Sequence, residues 1–116
     1  MLPVELAKQR EGNQAQLLLK VEPELFWFRG HFPGQPLLPG VAQLEWVMHY
    51  GCQLLANGWR FNRVDNIKFQ HPIVPGKILR LTLIWQPEKQ LLAFTYSLAE
   101  GETEKTASSG KINLCQ

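Results

Sequence analysis

Charge is scarce in this chain. Only 19% of its 116 residues are charged, and the formal net charge is +2. No lysine- and arginine-rich block with interleaved aromatics occurs, so nucleic acid is not an expected partner. Two cysteines, Cys52 and Cys115, are too few for a disulfide framework, and no Cys/His spacing suits a zinc site. Cys52 sits in an apolar stretch and reads as a buried free thiol. The apolar runs are too short and too interrupted to cross a bilayer, so no membrane insertion is expected. The opening MLPVELAKQREGNQAQ lacks the basic start and apolar core of a secretory signal. These gaps point to the cytoplasm, and the length to one domain over residues 1–116.

Proline and glycine are concentrated instead. Residues 30–40 hold Pro33, Pro36 and Pro39 with Gly30, Gly34 and Gly40. Proline fixes φ and removes a donor, while glycine permits turns that other residues avoid. The result is a stiff loop, suited to holding His31 at a chosen point. Just before it, residues 25–28 (LFWF) form a dense apolar patch that needs cover from the sheet or from a second subunit.

The loop runs into a helix expected over residues 40–57, with Gly58 as its C-terminal cap. Its polar residues after the first turn are Glu45, His49, Gln53 and Asn57, a narrow stripe of four-residue period. Elsewhere the helix is apolar, the pattern of a central buried helix.

Strand signals fill the rest. Residues 1–13 are polar and expected to be loosely docked, with the first strand at 15–21. A long strand is expected at 59–71. Val74-Pro75-Gly76-Lys77 has the Pro-Gly centre of a type II turn. Residues 78–85 alternate, as do residues 92–98, on either side of the loop Gln86-Pro87-Glu88-Lys89. A turn at residues 100–102 leads to a last strand at 103–114, where Gly110 is expected to mark a bulge. The later strands are expected to pair antiparallel in meander order. This is an α+β chain: one long central helix wrapped by a curved antiparallel sheet of about five to six strands. Such a sheet covers one side of the helix, and the other side invites a second copy, so a homodimer is expected.

Three parts carry chemistry. Glu45, on so apolar a helix, is costly unless paired or neutral, and burial would raise its pKa. A carboxylic acid kept protonated can donate to a leaving group. Two plainer roles stand beside this: pairing with His49 one turn on, or capping a buried backbone group. His31 is a base of the right range, although a loop histidine alone is unremarkable. Gly40 opens the helix, where free N–H groups and the positive dipole end suit an oxygen gaining charge; simple capping is the alternative. Together they suit removal of a proton beside a carbonyl with loss of a β-hydroxyl. Glu45 and His49 with His31 or His71 do not make a convincing metal site, for there is no HExxH and the helix is too dry. His71 reads as a strand-end residue.

GHFPGQPLLPGVAQLE, residues 30–45, resembles the signature of the bacterial 3-hydroxyacyl-[acyl-carrier-protein] dehydratases, GHFPGxPxxPGVxxxE. KFQHPIVPGKILRLTL, residues 68–83, is similar to that family's second motif, in the expected order and at the expected separation. LFWFRGHF and ASSGKI look most like the small stand-alone dehydratases of aryl-polyene clusters. The resemblance implies the hotdog fold. It implies a dehydratase turning a 3-hydroxyacyl thioester into a trans-2-enoyl thioester and water, without metal or cofactor. By the same resemblance His31 is the base, Glu45 the acid and Gly40 the N–H that holds the thioester carbonyl. Phe32, Pro39, Val41, Trp46 and His49 would bind substrate. The site would lie between two subunits, histidine from one and acid from the other. A cis bond at His31–Phe32 occurs in some relatives.

The carrier implied is acyl carrier protein, met by Arg29, Arg60, Arg63, Lys68, Lys77 and Arg80, or else coenzyme A. Departures are His49 where the family has Gln, the bulky Trp46, Met48, and a brief N-terminus without the extra helix of some relatives. Two other readings stand: a hotdog thioesterase, and a non-catalytic acyl- or carrier-binding subunit of a heterodimer.

Overall fold

The computed structural model describes residues 2–22, 37–100 and 102–116. The patch at 25–28, Arg29, His31, Phe32 and the bond between those last two, with the loop residues up to Pro36, lie outside the described residues, as does Gly101. Among the described residues, six strands form one antiparallel sheet. They are β1 (Val4–Glu11), β2 (Gln14–Lys20), β3 (Arg60–Phe69), β4 (Ile78–Gln86), β5 (Leu91–Glu100) and β6 (Thr103–Cys115). The helix α1 (Gly40–Leu54) lies between β2 and β3 in sequence. Strand order is β1-β2-β4-β5-β6-β3, so β4, β5 and β6 make the expected meander while β3 crosses to the far edge to pair with β6. A helix wrapped by such a sheet is the hotdog arrangement.

Period-two alternation decides which face of the sheet meets the helix. Leu79, Leu81, Leu83 and Trp85 of β4 are buried, whereas Ile84 between the last two stays 42% exposed. Leu92, Phe94 and Tyr96 of β5 and Ile112 and Leu114 of β6 continue the same face. Against them α1 lays Ala42, Trp46, Val47 and Tyr50, all buried. Each large side chain so buried stabilises the fold by roughly 1.5–3 kcal/mol before chain entropy is set against it. At the turns, Gly76 has φ +87, as the Pro-Gly turn requires, and Gln90 takes φ 57 after the short 3-10 turn at Pro87–Lys89.

Five expectations need correction. Residues 4–11 are not loose: they are strand β1, joined to β2 through a two-residue turn whose first residue, Gly12, has φ +59. That is the place a type II′ hairpin reserves for glycine. The first strand is therefore one hairpin arm earlier than expected.

The helix stops at Leu54 rather than Asn57. Leu55 leaves helical geometry at φ −127, and both its N–H and that of Ala56 bond to the Gly51 carbonyl. Ala56 is pulled into the core, and Asn57-Gly58 form a separate turn closed by Trp59 N–H to the Ala56 carbonyl, 3.1 Å.

Gly110 is not a bulge, for it pairs in register with Phe94 and with Ile67. The bulge of β6 lies at Ala107, where register shifts between Tyr96 and Ser97 of β5. Gly110 is glycine because β6 is pressed between neighbours: an added Cβ would sit 2.5 Å from the Asn66 carbonyl oxygen.

Cys52 is half-buried rather than buried, its Sγ 3.5 Å from the Trp59 carbonyl, and both cysteines are free thiols. Finally, α1 is not buried all round. Val41, Glu45, His49 and Gln53 are exposed, and Leu44, Met48 and Cys52 are only partly covered.

Candidate active site

The helix N-terminus is built by three constraints. Pro39 is the N-cap, at φ −67 and ψ 154, and has no N–H to leave unsatisfied. Leu38 N–H bonds to the Ile73 carbonyl at 2.8 Å, which ties the entering segment to the chain after β3. The Phe69 ring lies on Gly40 so closely that a Cβ there would be 2.7 Å from its Cζ. Leu38, Pro39, Gly40, Gln43, Phe69 and His71 border a largely apolar cleft of about 450 Å³. The Ala42 and Gln43 N–H groups turn back to the Pro39 carbonyl at 3.1 and 3.2 Å, those of Gly40 and Val41 precede the helix's own bonding, and the positive end of its dipole lies here. Such a cleft can hold a carbonyl oxygen that gains negative charge.

Glu45 lies elsewhere. It is exposed in the single chain and borders a second, open concavity of about 420 Å³ with Val41, Leu44, Met48 and Phe61. Gly40 and Glu45 are five residues apart on the helix, which places them about 7.5 Å apart along its axis and on different sides. The chain alone therefore does not bring the N–H and the carboxylate into one cleft. The described residues of the single chain do not supply the burial expected of Glu45. Its concavity is apolar, and nothing among the described residues closes it.

Other expected site residues fall as follows. Among the described residues no ion pair joins Glu45 to His49; the His49 ring meets Tyr50 edge-on at 4.9 Å. Pro39 borders the first cleft and Val41, 64% exposed, the second. Trp46 is fully buried in the core of the single chain. Of the cations expected to meet a carrier, Arg63 is paired with Asp65 at 2.8 Å and Arg80 with Glu104 at 2.7 Å.

Sequence reasoning passed over Gln43. It is 4% exposed, and its neighbours are polar: Ser108 Oγ donates to its Oε1 and the Tyr96 hydroxyl to its backbone carbonyl, both at 2.6 Å. Burial, with Tyr50 as the lesser cause, pushes the Tyr96 phenol well above its usual range, so it stays a donor. A glutamine three residues past the helix's first glycine, outside the Glu45 stripe, was the available signal.

The family described as ApeI-like, ApeI dehydratase, matches residues 7–111. A solved structure titled the dehydratase heterocomplex ApeI:P of Xenorhabdus doucetiae has a chain 49% identical, with TM-score 0.93 and all of both chains covered. An uncharacterized protein of Erwinia carotovora subsp. atroseptica is 61% identical, with TM-score 0.92 over 99% of this chain and 97% of that one. A 3-hydroxyacyl-[acyl-carrier-protein] dehydratase FabZ of Oenococcus oeni is 32% identical over 76% of this chain and 68% of its own length. For the enzyme of that name from Caulobacter vibrioides the match spans 40% of its length.

Proposed function

From the chain's membership of the ApeI-like family of hotdog-fold dehydratases, we propose that it dehydrates a 3-hydroxyacyl thioester to a trans-2-enoyl thioester as one member of a hotdog pair. The observation that carries this is the split site: an N–H-rich cleft at Gly40 and a carboxylate at Glu45 on separate faces of one helix. In the reaction His31 takes the α-proton. The thioester carbonyl gains charge against the Gly40 N–H. The C–O bond at the β-carbon breaks as Glu45 protonates the departing hydroxyl, and water leaves. Covering the concavity around Glu45 with a second hotdog chain excludes bulk water from the reacting atoms. The acyl group is carried by acyl carrier protein, and the two free thiols suit a cytoplasmic location.

Mixing two inactive variants tests the shared site. His31→Ala and Glu45→Gln are each expected to lose dehydration of 3-hydroxyacyl carrier-protein thioesters. If one copy supplies base and another acid in a two-fold pair, re-paired mixtures regain about a quarter of wild-type activity. No recovery despite confirmed exchange of subunits would sink the shared-site reading.

A second reading is favoured by the Xenorhabdus assembly, a dehydratase heterocomplex named ApeI:P. In it this chain pairs with a different hotdog chain and need not carry the turnover itself. Wild type inactive alone on all chain lengths, but active once a second hotdog chain is added, selects that reading. His31→Ala in the mixed complex then tells whether this chain supplies chemistry.

A further inference from the structure

One rung of the sheet grips the start of α1. Tyr96 of β5 pairs with Ser108 of β6, and Ser108 pairs with Phe69 of β3. Residues paired across antiparallel strands point to the same face, and all three meet the first turn of the helix. Phe69 lies on Gly40, while Ser108 and Tyr96 bond to Gln43. Gln43 passes the constraint on, since its Nε2 donates to the Leu38 carbonyl at 3.3 Å, directly before Pro39 and Gly40. The Ala107 bulge serves the same rung. Its carbonyl accepts both Gln70 N–H at 2.8 Å and His71 N–H at 3.1 Å, turning the chain at the end of β3 along the cleft.

We propose that Gln43, oriented by Ser108, is a positioning residue for the Gly40 N–H, holding it aimed at the substrate carbonyl. This rests on the reading of Gly40 given above. The physical grounds are that Ser108 is fully buried and Gln43 nearly so. A buried amide bonded at its oxygen by a hydroxyl and through its nitrogen to a carbonyl has one orientation. That orientation fixes Leu38 relative to the helix, and thus the peptide plane two residues on. Core packing alone asks for neither polar group, because an apolar side chain fills the same space without a hydroxyl to satisfy. An N–H held in place before the reaction lowers the barrier by acting on charge that develops only in the transition state.

The test uses Gln43→Leu, Ser108→Ala and the double variant, in which no buried hydroxyl is stranded. Positioning predicts kcat down about tenfold to hundredfold in both Gln43→Leu variants with KM within about twofold. The double variant should recover folding stability over Gln43→Leu without recovering kcat. A second readout is the infrared carbonyl frequency of a bound trans-2-enoyl thioester, carbon-13 labelled at the carbonyl, in a Glu45→Gln background that stops turnover. Its lowering on binding should shrink when Gln43 is replaced. Should Gln43→Leu not fold, the double variant and Ser108→Ala carry the same readouts. Unchanged kcat and unchanged carbonyl frequency in the folded variants overturn the inference. No lowering in the background protein itself overturns the Gly40 reading, a separate signature.

Discussion

Gly40 and Gly110 both sit where a methyl group would collide, but against different neighbours. At Gly110 the nearest atom is the Asn66 backbone oxygen, 2.5 Å from an added Cβ, with the Phe94 ring at 2.9 Å. A backbone atom held in the β3–β6 ladder moves less readily than the tip of a side chain, even at the sheet's edge, so Gly110→Ala should destabilise by about 1–3 kcal/mol. A denaturant midpoint unchanged from wild type would mean that β3 yields there. At Gly40 the obstacle is the far end of Phe69, 55% exposed and able to swing. Gly40→Ala should leave stability within about 1 kcal/mol of wild type while moving the ring across the cleft, and dehydration should fall much more than stability. The two glycines looked different in sequence for the wrong reason. Gly40 was legible because proline precedes it and an apolar helix follows. Gly110 carried only the generic meaning of glycine in a strand, and its close approach depends on β3, which is far away in the chain.

The helix shows what hydrophobic pattern can and cannot say. Its apolar composition, its start at Gly40 and its Glu45 stripe were all readable. That one side of the helix lies open was readable too; which residues line that side, Val41, Leu44 and Met48, was not. Hydrophobicity records that a side chain prefers cover, not which molecule supplies it. The end at Leu54 was missed because Gly58 looked like a cap, whereas a buried Ala56 drew the chain inward a turn earlier. The open face makes a prediction at this scale. Phe61, 50% exposed beside Glu45, lies outside its own chain's core cluster, so Phe61→Asp should leave the fold intact. A charge there should weaken pairing at least tenfold, by about 1.4 kcal/mol or more, and lower activity in step. Sedimentation across a concentration series reads the first effect. Pairing as tight as wild type would place the interface on another face.

At the scale of the molecule, strand existence was legible and strand order only partly so. β4, β5 and β6 follow one another through short turns, and proximity in sequence made them neighbours. β3 is more polar than the strands of the meander, and it pairs with β6 although the whole of β4 and β5 lies between them in the chain. That placement puts Phe69 over Gly40 and β3 at the end of the strand order among the described residues, so the part of the site that escaped the sequence is the part built by the crossover. The same closed core sets the response to alkali. Burial pushes Tyr50 from 10.0 up to about 12, with Glu5 adding to it, and pushes Tyr96 well above 10.0 and Cys52 above 9.0. These groups hold their protons more tightly folded than unfolded. Their stabilisation is therefore complete below the unfolded values, near pH 9 to 10, and is lost as pH rises through the folded ones. Denaturant midpoints should be flat with respect to these groups from pH 7 to 9 and fall steadily from pH 10 toward 12. Tyr50→Phe should flatten the upper part of that fall, because it removes one ionising group without removing its buried ring. A midpoint in that variant that falls as steeply as wild type between pH 10 and 12 would show that Tyr50 ionises without opening the core.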